Sequence, residues 1–335
     1  MKRKIFLFVL AVIIFVAPVM SQITGYVSAH YIKGEKEGDY EKGTFRNPLF
    51  GLIFSGDISA GFAYGAEFRI TEVSHIEIDQ AWVGITPSEA FRLQGGLYLV
   101  PFGIYNRINR PHQKTLINTP LHAEYCYPDH WRDLGVVVNG RIGGFVYQGY
   151  LGNGLQEGLG LRDGQQFEDN NKEKGKGGRI GWRFSQGFEI AYSINTGKYD
   201  EGNSRTLTLH GADANWMTED WQMFGEYTKA IIKNPEGYEH GEAEAWFVQA
   251  TIFFGEFQPF ASYQKLTYED PYHGIGFSPD FGPGAGISMD RNRWALGIVY
   301  IPVPNIYISF EYDFNREKTV EIKTDTWVVQ VAASF

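Results

Sequence analysis

The eleven residues Asp325-Thr-Trp-Val-Val-Gln-Val-Ala-Ala-Ser-Phe335 constrain this chain more than any other stretch. Taken with period two, Trp327, Val329, Val331, Ala333 and Phe335 share one face, while Thr326, Val328, Gln330, Ala332 and Ser334 share the other. In a water-soluble sheet such a strand leaves an apolar stripe and an unpaired edge in solvent. A transmembrane β-barrel satisfies both, with lipid against the apolar face, water against the polar one, and the edge paired to the first strand.

Segments of about ten residues with the same alternation recur along the chain. The pattern predicts strands at 22–32, 46–56, 60–71, 75–87, 90–100, 131–140, 144–152, 177–186, 187–197, 205–217, 221–232, 243–254, 257–269, 292–302, 306–316 and 325–335. The connections test this count, because a barrel with both termini in the periplasm alternates long outer loops with short inner turns. Outer connections fall at 33–45, 72–74, 101–130, 153–176, 198–204, 233–242, 270–291 and 317–324, separated by inner turns of two or three residues. The expectation is an all-β, 16-stranded antiparallel transmembrane barrel whose last strand runs downward beside the first.

The beginning of the chain agrees. Met1-Lys-Arg-Lys4 precedes an apolar run from Ile5 to Val16, and Val19 and Ser21 supply small residues for a cleavage site. Residues 1–21 are therefore expected to be a signal peptide, cleaved near Ser21, and residues 22–335 the barrel. Removing Lys2, Arg3 and Lys4 from the 30 basic side chains leaves 27 against 39 acidic ones, which argues against a nucleic-acid partner.

A charged side chain facing lipid at mid-depth costs roughly 2–4 kcal/mol, so the charged face of each strand turns to the lumen. In 306–316, Ile306, Ile308, Phe310, Tyr312 and Phe314 oppose Tyr307, Ser309, Glu311, Asp313 and Asn315. The segments 187–197 and 60–71 sort in the same way, whereas 257–269 does not sort. Trp82, Trp182, Trp216, Trp221, Trp246, Trp294, Tyr300 and Trp327 lie near strand ends, as interfacial girdle residues do. The expected lumen wall carries Glu67, Glu77, Asp79, Glu189, Asp213, Glu226, Glu311 and Asp313 against Arg69, Arg92, Arg179 and Arg183.

A barrel of sixteen strands is too wide for wall side chains to fill, so a water-filled channel is expected, and its function depends on what narrows it. The long third outer connection, 101–130, contains apolar Ile104, Ile108, Leu116, Ile117 and Leu121 and carries Arg107, Arg110 and Lys114. It is the expected constriction, packed into the lumen. The wall acids imply a weak cation preference, opposed by those three cations. An anion- or phosphate-selective channel is the alternative.

Gly96-Leu-Tyr-Leu-Val-Pro101-Phe102-Gly103, the strand restart Trp131-Arg-Asp-Leu-Gly135-Val, Asp213-Ala-Asn-Trp216 and Glu226-Tyr227 resemble the outer-membrane porins, particularly the phosphate-selective porin O and P type. The resemblance implies a homotrimer of sixteen-stranded barrels, each with the third loop folded inward, in the bacterial outer membrane among its lipids and lipopolysaccharide. A strand ending on phenylalanine also resembles the signal read by the barrel assembly machinery, here ending at Phe335. The arginine ladder and lysine cluster of phosphate-specific members have no regular counterpart.

Enzymatic chemistry finds no support. None of the eight histidines falls in a spacing that specifies a catalytic triad. His122, Cys126 and His130 have i, i+4, i+8 spacing, but Pro128 interrupts any helix that could gather them around a metal. Cys126, the single cysteine, is expected to be an inert thiol. The reading is of a passive channel for small hydrophilic solutes and ions, without cofactor or resident metal.

Overall fold

The computed structural model describes residues 22–36, 38–59, 61–71, 75–158, 160–184, 187–269, 290–318 and 323–335. The expected signal peptide 1–21, the connection 72–74 and nearly all of the connection 270–291 lie outside the described residues. Among those described, sixteen strands form one closed antiparallel barrel. They are β1 (Gln22–Gly34), β2 (Thr44–Ser59), β3 (Phe62–Thr71), β4 (His75–Ser88), β5 (Phe91–Leu99), β6 (Arg132–Ile142), β7 (Phe145–Gly152) and β8 (Gly175–Arg183). The second half comprises β9 (Phe188–Lys198), β10 (Thr206–Met217), β11 (Trp221–Ile232), β12 (Gly241–Ile252), β13 (Phe257–Glu269), β14 (Arg291–Tyr300), β15 (Ile306–Glu317) and β16 (Thr326–Ser334). Each strand pairs with its sequence neighbours, and β1 closes on β16 in register from Tyr26↔Ser334 to Gly34↔Thr326. Closure leaves no edge unsatisfied, which is the condition for a sheet in hydrocarbon.

The expected spans at 221–232 and 257–269 coincide with β11 and β13. The span at 243–254 is displaced by two residues. Gly241 and Glu242 extend the ladder against Ile232 and Ile231, while Phe254 turns back to exchange hydrogen bonds with Phe257. Inner turns need left-handed backbone at Gly143 (φ +60°) and Gly255 (φ +58°), where L-residues are strained although space is open.

Alternation sorts the faces as the charge penalty requires. On β15, Ile306, Ile308, Phe310 and Phe314 are exposed on the outer surface, while Ser309, Glu311 and Asp313 are buried on the inner one. One girdle assignment is corrected. Pairing passes from Glu67↔Gln80 to Phe68↔Ile78, so β4 carries an extra residue at Asp79. This bulge flips the parity beyond it. Trp82 consequently opposes Gly65 on the inner face, and Gly65 is the vacancy that admits the indole: a Cβ there would lie 2.5 Å from the Trp82 ring.

β13 failed to sort because its inner face is mixed. Phe260 and Leu266 are buried beside Ser262 and Gln264, while Lys265 faces outward. Leu266 joins an interior cluster in which Leu207, Leu209, Ile232, Ala243 and Ala245 meet Val100, Phe102, Tyr105, Leu121, Tyr127 and Trp131, and Phe260 joins a second one with Leu116, Phe224, Phe247 and Val299. Burying each large member contributes roughly 1.5–3 kcal/mol, so one arc of the inner wall is a core rather than a wetted surface.

Candidate functional site

The segment between β5 and β6 carries little regular structure of its own. A single turn spans Tyr105–Arg107, and a short helix, α1, spans Leu121–Tyr125. α1 begins after Pro120, whose ring presets its entry, and stops at Cys126, two residues before Pro128. Backbone groups in such a segment need partners elsewhere. The barrel wall supplies them.

Glu226 on β11 is the main acceptor. Its Oε2 receives the N–H of Ile104 at 2.8 Å and of Tyr105 at 3.0 Å, and its Oε1 receives the Tyr127 hydroxyl at 3.0 Å. His122 Nε2 lies 3.4 Å from the same Oε1, and its ring stacks on Phe247 at 4.7 Å. Gly103 (φ +63°) passes so close that any Cβ would collide with the Glu226 carboxylate, while its N–H donates to Ser193 Oγ on β9 at 3.1 Å.

On β15, Glu311 plays the matching part. It accepts the N–H of Ile117 at 2.6 Å and of Asn118 at 3.1 Å, and Asp313 accepts the Asn118 amide at 2.8 Å. Gln264 on β13 accepts the N–H of Leu121 at 2.9 Å. Arg293 on β14 donates to the Thr119 carbonyl at 2.9 Å and pairs with Glu124 at 3.1 Å. Across the barrel, Glu67 on β3 receives Arg110 through both oxygens, at 2.9 and 2.6 Å, together with the Tyr26 hydroxyl at 2.8 Å.

The remaining wall charges are mostly spent on one another. Arg69 lies 3.4 Å from Asp79, and Arg132 reaches Asp79 at 3.0 Å and Glu77 at 3.3 Å. Arg179 donates to Asp213 at 2.9 Å and to Glu189 at 2.9 Å, and Arg183 pairs with Glu189 at 2.7 Å. Arg92 stacks on the Trp82 ring at 4.6 Å. Of the three cations on the segment, Arg110 is bound to Glu67, and Lys114 lies over the Tyr105 ring, 3.3 Å from its hydroxyl. Arg107 is exposed, and among the described residues it makes no ion pair within 4.0 Å.

Several participants had gone unassigned: Tyr26, His122, Arg132, Ser193, Gln264 and Arg293. Arg293 was accessible to the charge penalty, since it sits on the face opposite the exposed Trp294, whereas Arg132 shares the parity of the exposed Leu134 and is turned inward at the strand end by Asp79 and Glu77, which alternation does not announce. Tyr26 and His122 give no such signal, because an aromatic or imidazole ring is acceptable on either face.

Comparison with known proteins now bears on this geometry. A family model described as Gram-negative porin matches residues 9–335. The chain belongs to that family. It is an outer-membrane porin, a channel for passive diffusion across the Gram-negative outer membrane, and both family and fold point to a channel rather than an enzyme.

Solved structures agree on the fold at low identity. OmpF of Salmonella typhi, in complex with daunomycin, superposes with a TM-score of 0.68 at 14% identity, covering 94% of this porin and 97% of that chain. The anion-selective porin from Comamonas acidovorans gives 0.68 at 13% identity, covering 94% and 99%. A loop-deleted OmpT of Vibrio cholerae gives 0.68 at 11% identity, covering 95% and 100%. An uncharacterized protein of Aquifex aeolicus is 26% identical over 142 residues, 40% of this chain and 32% of that protein, so the matched region is about a third of that relative's length.

Proposed function

We propose that residues 101–130 lie across the lumen and set both the width and the charge of the channel. The carrying observation is the bonding of this one segment to inner-face side chains of β3, β9, β11, β13, β14 and β15, which stand on different sides of the barrel. Solutes then pass beside the segment, and the narrowing selects small hydrophilic ones.

The selectivity that fits this arrangement is a weak anion preference. Glu226, Glu311 and Asp313 are buried beneath the segment, and Glu67, Asp79, Glu189 and Asp213 are bound by arginines, so the wall acids offer little free charge. This reverses the preference that the acid count alone implied. Arg107 is the open cation at the constriction, and a fixed charge in a narrow pore acts within a Debye length of about 8–10 Å. Phosphate selectivity, the alternative raised from the sequence, is the narrower version of this reading. Reversal potentials across a KCl gradient test it. Anion preference that falls towards neutrality in Arg107→Gln supports it, and cation preference in the parent protein overturns it. Replacing chloride with phosphate then tests the narrower version.

A homotrimer is the assembly we favour, as in the trimer form described for OmpT of Vibrio cholerae. The outer surface of β2–β5 supports it. Phe54, Phe68, Ile78, Val83 and Leu93 present a charge-free apolar wall there, while the outward tryptophans Trp182, Trp216, Trp246, Trp294 and Trp327 all lie on later strands. Cleavage near Ser21 and recognition of the β16 end by the assembly machinery complete the proposed route to the membrane.

A further inference from the structure

A cleft of about 460 Å³ lies between the loop-bearing ends of β1–β4 and β16 on one side and residues from Asn109 to His130 on the other. Besides imidazoles, four charged side chains line it: Arg69, Glu77, Lys114 and Asp129. Two are committed elsewhere, Arg69 to Asp79 at 3.4 Å and Glu77 to Arg132 at 3.3 Å. Lys114 and Asp129 are not, and among the described residues neither makes an ion pair within 4.0 Å. Neutral groups hold them instead. The Lys114 ammonium lies 3.3 Å from the Tyr105 hydroxyl, which leaves most of its donors unused. Asp129 accepts the Asn109 amide at 2.6 Å, the Thr119 hydroxyl at 3.2 Å and the His130 backbone N–H at 3.1 Å.

The buried part of the lining has unused hydrogen-bonding capacity. His30 opposes Gln330 on β16 and is 9% exposed, and its ring makes no hydrogen bond among the described residues. Asn109 Oδ1 and Arg69 Nε are buried without a partner as well. Buried polar atoms are normally satisfied, so these three mark the place of a polar occupant. No Trp, Tyr or Phe lines the cleft among the described residues, which leaves a sugar or a nucleobase no such ring to stack on. A simple anion drawn to Lys114 meets Asp129, and a simple cation drawn to Asp129 meets Lys114. A molecule carrying both charges meets neither conflict. We propose that the cleft is a binding subsite for zwitterionic solutes of the free amino-acid class, the carboxylate towards Lys114 and His30 and the ammonium towards Asp129. This assignment rests on the reading that residues 101–130 lie across the lumen, and it adds a solute class to that reading.

The test uses the full-length porin in planar bilayers at neutral pH and fixed KCl. Glycine, acetate and methylammonium are titrated separately, and the reduction of ion current is read. Glycine makes charge-assisted hydrogen bonds at both ends of the cleft and the other two at one end only, so its block should saturate at a concentration about tenfold lower than theirs. Lys114→Gln and Asp129→Asn should each raise the glycine half-block concentration about tenfold, and Lys114→Arg should restore most of it. Equal, non-saturating effects of all three molecules in the parent channel would mean that the cleft holds water only, and overturn the subsite. This parental comparison decides alone if Lys114→Gln lowers the yield of folded barrel. Unchanged glycine block in Lys114→Gln and Asp129→Asn, with Arg107→Gln still shifting the reversal potential, overturns the subsite and leaves the constriction reading standing. If none of the three variants alters block or reversal potential, the segment does not bound the conduction path and both readings fall.

Discussion

The Arg110 guanidinium and the Glu67 carboxylate face each other through two hydrogen bonds, 2.9 Å from Nε to Oε1 and 2.6 Å from the terminal nitrogen to Oε2. Glu67 is buried and Arg110 is partly exposed, so the pair sits at the margin of the water-filled space. Removing one partner of a fully buried pair costs about 3–5 kcal/mol. The exposure of Arg110 reduces this to roughly 1–3 kcal/mol through solvent screening. Glu67→Gln should lower the melting temperature, raise open-channel noise and shift the reversal potential towards anions by unmasking Arg110. Arg110→Gln should shift it towards cations. The two shifts must have opposite signs; shifts of the same sign would mean that the pair does not face the conduction path.

Glu226 predicts a larger mechanical effect. It accepts two backbone N–H groups and one hydroxyl from residues 104–127, and Gly103 leaves no space for a Cβ against it. Glu226→Ala leaves buried donors without an acceptor, at about 1–3 kcal/mol for each orphaned group. Gly103→Ala should reproduce the phenotype from the opposite side, because the methyl group displaces the same contact and φ is +63°. Both variants should show larger and noisier single-channel conductance. Parental conductance in both would show that this contact does not hold the constriction in place.

The barrel was legible because its physics is local. Trp327, Val329 and Val331 against Val328 and Gln330 carry the strand, its faces and its paired edge within a few residues, and the loop-length alternation adds the strand number. What escaped was set by contacts distant in sequence. Trp82 changes faces because one extra residue at Asp79 disturbs the ladder with Glu67, and composition does not announce a bulge. Phe260 and Leu266 look misplaced on a lumen wall until Leu116 and Leu121, well over a hundred residues earlier, pack against them. The wall acids were identifiable as charges, but their arginine and backbone partners were not, so the residue count leaves the free charge of the lumen open.

Cys126 gives a prediction independent of conduction. The thiol is fully buried beside α1, and burial pushes its pKa up to about 12. The reactive thiolate is therefore scarce at neutral pH, and access is closed as well. Folded porin should resist maleimide labelling at pH 7, and the same sample should label fully after heating in detergent. Labelling of the folded protein at the rate of a free thiol would show that the segment opens readily from the wall.

The seam between β1 and β16 supplies the final prediction. Gly25 N–H donates to the Phe335 carbonyl at 2.7 Å, and Phe335 N–H donates back to Gly25 at 2.9 Å. The Phe335 ring lies across Gly25, where a Cβ would come within 2.5 Å of it and within 2.8 Å of the Gly51 carbonyl oxygen, and it contacts the Phe50 ring at 6.4 Å. A ring can swing aside, but the Gly51 backbone cannot, so Gly25→Val should force the seam apart even where Phe335 yields. Phe335→Ala keeps both hydrogen bonds and loses only the ring. Closure is the step that hides the last unpaired N–H and C=O groups from lipid, each costing several kcal/mol if left open. Gly25→Val should therefore sharply reduce the yield of heat-modifiable folded barrel, and Phe335→Ala should reduce it less. The barrels that do form should conduct normally, since neither residue touches the constriction. Parental yield from Gly25→Val would show that the seam tolerates displacement at this point, and altered conductance in the surviving barrels would show that the seam and the channel interior are coupled.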